Sequence, residues 1–244
     1  MSLVAKRFLH HAHTYTQHAI VQHKMALTLT RILQAHRPKL QNIFEFGCGV
    51  GNYTSLLAYL YPHAHFVCND INDYTQYCNK EFLCFDMEHI DEILSPRTFD
   101  LITANAAIQW LNQQKCLQTL PKFLRKNGVL LFSSFGVQNF WQIKQLCGVG
   151  LQYLSLETYQ EILSQNFEIL HLSSFQHTLC FESPLEVFRH LHYSGVNSLQ
   201  KGFFLSKELL CAYEKTFSNA LTYDCIFVCA KRKDTILHKH HHIT

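Results

Sequence analysis

The stretch Asn42-Ile-Phe-Glu-Phe-Gly-Cys-Gly-Val-Gly-Asn-Tyr-Thr54 constrains the chain most, because an apolar run breaks there into glycines at alternate positions, 47, 49 and 51. It reads as a β-strand, a tight turn and the opening of a helix. Lacking a Cβ, Gly47, Gly49 and Gly51 can take positive φ and let the backbone approach a bound ligand. The dinucleotide fingerprint G-x-G-x-x-G would need a glycine at position 52 or 54, where the chain has Asn52 and Thr54. A P-loop would need a Lys after the glycines, and no Lys follows them. The turn therefore suits a cofactor other than NAD, FAD or a nucleoside triphosphate.

After Arg37-Pro38, short apolar runs alternate with helical segments, the pattern of βαβ units and a parallel sheet. The run His65-Phe-Val-Cys-Asn69 ends at Asp70, and Phe82-Leu-Cys-Phe-Asp-Met87 carries Asp86 at its end. In doubly wound sheets ligands lie beyond the carboxyl ends of the strands, and an acid about 20 residues after the glycines can hold both ribose hydroxyls. Asp70 has that spacing. A fourth strand, 99–104, opens into Asn105-Ala-Ala-Ile-Gln-Trp110, and a fifth, Val129–Ser134, follows a bend at Lys126-Asn127-Gly128.

Outside this frame, residues 1–36 have apolar positions at helical spacing (Ile20, Ala26, Leu29, Leu33) and read as two helices broken near His13 or Thr14. Downstream the pattern predicts a helix near 153–164, strand 6 within 167–181 and strand 7 over 223–230. Between those strands, 183–220 reads as a helical lid, opened by Ser183 as N-cap, Pro184 at the first position and Glu186 as an early acid. The His-rich tail, 235–244, is expected to be disordered, and 1–234 to form one domain.

Hydrophobic residues make up 48% of the 244 and charged residues only 16%, which excludes a disordered chain. A net charge of +3 is too weak to argue for nucleic acid. The ten cysteines are scattered, with no C-x-x-C, as expected of free thiols in a reducing cytosol. No apolar segment reaches the roughly 18 residues that span a bilayer. We therefore expect a cytoplasmic, soluble protein, and no metal site is assigned.

An acid before G-x-G-x-G at a strand end resembles the first motif of class I S-adenosylmethionine-dependent methyltransferases, carried here by Glu45 and Gly47 to Gly51. The resemblance implies a Rossmann-like α/β fold: a seven-stranded, mostly parallel sheet with strand 7 antiparallel, and helices on both faces. It implies S-adenosylmethionine bound by Glu45, Gly47, Cys48, Gly49, Gly51, Asp70, Ile71, Asp86, Met87 and Asn105, with S-adenosylhomocysteine as product. Glu45 would lie near the cationic methionine end, Asp70 on the ribose and Asp86 on the adenine amino group.

Four segments are similar to one subfamily, the malonyl-acyl-carrier-protein O-methyltransferases of biotin synthesis: Tyr15-Thr-Gln-His-Ala19; Asn105–Trp110; Pro184-Leu-Glu-Val-Phe-Arg-His-Leu-His-Tyr-Ser-Gly-Val-Asn197; and Leu221-Thr-Tyr-Asp with Ala230-Lys-Arg232. Departures from its pattern are Thr16 after the Tyr, Glu45 in place of the commoner Asp, and His192. The subfamily implies methyl transfer to the carboxylate of a malonyl thioester on acyl carrier protein, with Tyr15, Gln109, Trp110 and Arg189 at the substrate. Arg189, a guanidinium on the insertion helix, suits a carboxylate held bidentately. Lys201, Lys122, Arg125 and Lys126 are expected to steer the acidic carrier protein. Because trans-aconitate methyltransferases carry a segment like Asn105–Trp110, a small free acid is the alternative substrate. A non-catalytic methyltransferase-fold subunit is the other.

Overall fold

The computed structural model describes residues 19–148, 150–193 and 205–234. Seven strands, β1 (Asn42–Phe46), β2 (His65–Asp70), β3 (Glu81–Cys84), β4 (Phe99–Asn105), β5 (Leu124–Phe135), β6 (Phe167–Cys180) and β7 (Ala220–Arg232), form one sheet in the order β3-β2-β1-β4-β5-β7-β6. The neighbours from β3 through β5 are parallel, whereas β7 runs antiparallel to both β5 and β6. The mostly parallel α/β sheet with an antiparallel strand 7 is thus as the methyltransferase resemblance implies.

Strand side chains alternate between the two faces, which divides the core in two. Ile43, Leu101, Leu131 and Cys229 pack on one side against Met25, Leu29 and Leu33 of α1 (Ile20–His36) and Leu57 of α2 (Asn52–Leu60). Their sequence neighbours Phe44, Ile102, Leu130 and Val228 pack on the other side, with Phe46 and residues of the helices that cover it. Those helices include α3 (Ile90–Leu94), α4 (Gln113–Thr119) and, beyond α5 (Trp141–Cys147), α6 (Leu156–Ser164). Glu45 has the parity of Ile43, so its carboxyl points to the face that α1 and α2 cover.

Helix α1 ends where Arg37 turns left-handed (φ 44°) ahead of Pro38. The expected break near His13 or Thr14 lies outside the described residues. Helix α6 starts later than 153 because Ser155 caps it, its hydroxyl accepting from Thr158 N–H at 3.2 Å. Strand β7 starts at Ala220, ahead of 223, because it pairs with Cys180 at the far end of β6. The insertion supplies α7 (Pro184–Tyr193) and α8 (Lys207–Phe217). Ser183 Oγ accepts from Glu186 N–H at 3.4 Å, while the Glu186 carboxylate accepts from Glu182 N–H at 3.2 Å. Asn127 takes the left-handed conformation (φ 60°) in the bend of β5.

Candidate active site

Strand order reverses at β1, whose neighbours are β2 and β4, and a cavity of about 570 Å³ opens there beyond the carboxyl ends of the strands. All three motif glycines are left-handed, with φ of 64°, 54° and 82° at Gly47, Gly49 and Gly51. Their duties differ. A Cβ at Gly47 would collide with the Cβ of Ala107, so this glycine lets the turn after β4 pack against the turn after β1. At Gly49 a Cβ would meet nothing within 4 Å, and this residue lines the cavity. Gly51 is the N-cap of α2 and lies behind the wall.

Asp70, at the end of β2, holds the glycine turn as well as facing the cavity. Its Oδ2 accepts from Gly49 N–H and its Oδ1 from Asn72 N–H, each at 3.0 Å. Burial raises its pKa, and these backbone donors pull the other way. Asp86 accepts from Glu88 N–H at 3.1 Å, capping the single turn Met87–His89, and it lines the cavity with Met87. Ile71 is 39% exposed and lies in the same wall.

Asn105 closes the opposite side. Its Oδ1 accepts from Ser133 Oγ at 2.7 Å, and its Nδ2 donates to the Gln22 carbonyl at 3.0 Å, tying β5, β4 and α1 together. Ala106 takes φ 52° and donates its N–H to Ser133 Oγ at 3.0 Å. Gln109 is buried behind the wall, where its amide donates to the Ala106 carbonyl at 2.6 Å, so it shapes the turn that presents Trp110 to the cavity.

Glu45 is 1% exposed, and its Oε2 has no hydrogen-bond partner among the described residues. Burial above all, then Cys68 and Asp70 beside it, hold its pKa well above the ordinary carboxyl range, against a smaller opposing effect of Thr54. As pH rises from the ordinary carboxyl pKa toward the raised one, the native protein keeps a proton that the unfolded chain has lost. Stability must therefore fall as pH rises through that window. In melting experiments on the ligand-free protein, the wild-type Tm should decline with pH more steeply than that of Glu45→Gln; parallel curves would refute a protonated native Glu45.

A family model described as a methyltransferase domain matches residues 44–132. The malonyl-acyl-carrier-protein O-methyltransferase of Haemophilus influenzae is 33% identical over 217 residues, covering 85% of this chain and 82% of that protein. The chain belongs to the malonyl-acyl-carrier-protein O-methyltransferase family. The protein of the same name from Haemophilus ducreyi is 36% identical over 211 residues, covering 81% of each chain. Among solved structures, a candidate methyltransferase of Bacillus halodurans superposes with a TM-score of 0.61 at 14% identity, covering 83% of this chain and 97% of its own. A SAM-dependent methyltransferase of Archaeoglobus fulgidus gives 0.52 at 14% identity, covering 87% and 98%. Both share the fold.

Of the residues that the class I and subfamily resemblances assign to the site, Glu45, Gly47, Cys48, Gly49, Asp70, Ile71, Asp86, Met87, Asn105 and Trp110 line this one cavity. Tyr15 lies outside the described residues. Arg189 is not in the described lining; it is exposed on α7, on the stripe shared with Leu185 and His192, opposite the buried Val187, Phe188 and Leu191. Gln22, His23 and Tyr74 line the cavity and are absent from the sequence-based set. The only signal for Gln22 is its place on the apolar stripe of α1, where a polar residue stands in line with Met25, Ala26, Leu29 and Leu33.

The expected steering cluster needs correction. Lys122 pairs with Asp91, Arg125 with Asp100 and Lys126 with Asp234. Asp100, at the start of β4, also accepts from Gln41 and Asn42 N–H where β1 begins. Arg125 and Lys126 therefore lie at the amino-terminal edge of the parallel strands, opposite the cavity. Lys201 is outside the described residues.

Proposed function

We propose that this chain transfers the methyl group of S-adenosylmethionine to the free carboxylate of a malonyl thioester on acyl carrier protein, giving a methyl ester for biotin synthesis. The observation that carries this reading is identity of 33% over 85% of the chain to a protein of that name, joined to a cavity whose walls hold the cofactor-type residues in one place. The cofactor would supply an activated methyl on a sulfonium. The chain's residues fit it. Asp70 would take the ribose hydroxyls, Ile71 and Met87 would offer apolar faces, and Asp86 would serve as an acceptor beside them, all four lining the cavity. Glu45 brings an unpartnered carboxylate oxygen for a cationic group.

The acceptor needs no general base, since a carboxylic acid with a pKa of about 4 is already ionised at pH 7. The protein's task is to hold one carboxylate oxygen in line with the methyl and to exclude water from it. The turn 105–110, stiffened by Ser133 and Gln109, presents Trp110 for that purpose. Tyr15 and Arg189 complete the substrate set in this proposal, with 183–220 as the lid. All ten cysteines are free, and burial pushes Cys116, Cys225 and Cys229 up to about 12, which keeps them as thiols compatible with a reducing cytoplasm.

A methyl-transfer assay decides between substrates. Malonyl-carrier protein should be methylated with a kcat/KM well above that for malonyl-coenzyme A or a free diacid. A free diacid turned over better than either thioester would give the chain a small-acid activity instead, and cofactor binding without transfer to any of them would make it a non-catalytic subunit.

A further inference from the structure

Glu45 Oε2 and Gln22 Oε1 are buried acceptors of cavity-lining residues that have no donor among the described residues. Glu45 is 1% and Gln22 4% exposed, so neither oxygen is satisfied by bulk water. An acceptor buried without a partner carries its whole desolvation penalty, which a ligand donor would relieve. The two share a face of the sheet. Glu45 has the parity of Ile43, whose side chain packs with α1, and Gln22 begins the α1 stripe that continues through Met25, Ala26, Leu29 and Leu33. A hydrophobic residue at 22 would extend that stripe at no such cost, so the polar choice needs a reason. The backbone there is fixed independently, because the Gln22 carbonyl accepts from Asn105 Nδ2.

We propose that Gln22 is a positioning residue for the cofactor, its Oε1 and Glu45 Oε2 together accepting N–H groups of the primary ammonium at the amino-acid end. The inference rests on the S-adenosylmethionine reading above. An ammonium brings three donors and one positive charge, which match one carboxylate oxygen and one neutral oxygen. A second carboxylate at 22 would add like-charge repulsion beside Glu45 and Asp70, whereas a carboxamide adds an acceptor without charge. Two acceptors on different elements, one from β1 and one from α1, would fix the direction of the ammonium as well as its affinity.

Calorimetry on the full chain tests this with S-adenosylhomocysteine and with an analogue whose α-amino group is replaced by hydrogen. Gln22→Met keeps the side-chain length and Gln22→Leu continues the apolar stripe, and both should melt as the wild type does. Each should bind S-adenosylhomocysteine about tenfold more weakly, while the deaminated analogue should bind variants and wild type within about twofold. Equal losses for both ligands would show that Gln22 touches another part of the cofactor and overturn the inference. Unchanged S-adenosylhomocysteine affinity would do the same and leave the cofactor reading standing. A wild-type protein that does not bind S-adenosylhomocysteine would overturn that reading itself.

Discussion

Asp70→Ala is expected to weaken S-adenosylhomocysteine binding by about 1.5–3 kcal/mol, roughly ten- to a hundredfold, the range for hydrogen bonds to a charged acceptor. The structure adds a second reason for a large effect. The same carboxylate accepts from Gly49 and Asn72 N–H, so removing it releases two backbone donors and loosens the turn that shapes the cavity. Asp70→Asn separates the two roles less than its size suggests, because its amide NH₂ would face one of those N–H groups, donor against donor. Calorimetry with parallel melting curves is the measurement. Unchanged affinity in a folded Asp70→Ala would move the ribose contact elsewhere.

Much of this site is legible in the sequence because it is built from strand ends, and each strand end is a local signal. Glu45 precedes the glycines, Asp70 and Asp86 close or follow their apolar runs, and parallel pairing of β1, β2 and β3 then brings all three to one edge of the sheet. The capped start at Ser183-Pro184 is legible for the same reason, since its donors and acceptors lie within four residues of each other. What was hidden depends on long-range contact. That Gly47 must lack a Cβ because of Ala107 requires knowing that β1 and β4 are neighbours. Gln22 looks like any half-apolar helix position until α1 is laid across the end of the sheet. The basic cluster 122–126 is close in sequence to the turn 105–110, but a parallel strand has to return to the opposite edge before it starts. By that rule Arg125 and Lys126, at the start of β5, stand away from the cavity.

The electrostatics of the cavity sharpen the expectation for Arg189. Its described lining contains Glu45, Asp70, Asp86 and Glu88, no Lys and no Arg, with His23 the single residue there that could become a cation. Such walls suit a cationic cofactor and oppose an anionic substrate, and a carboxylate buried without a partner costs several kcal/mol. The positive charge for the malonyl carboxylate must therefore come from outside the described lining. We propose Arg189 as that charge, on the exposed stripe of the insertion helix α7. Because it is exposed, Arg189→Ala should leave Tm and S-adenosylhomocysteine affinity nearly intact while lowering kcat/KM for malonyl-carrier protein by about 100-fold or more, close to 3 kcal/mol of transition-state binding. Arg189→Lys should recover only part of this, since an ammonium keeps the charge and loses the bidentate geometry. A Lys variant as active as wild type would show that charge alone suffices. Near-normal turnover by the Ala variant would take Arg189 out of the site.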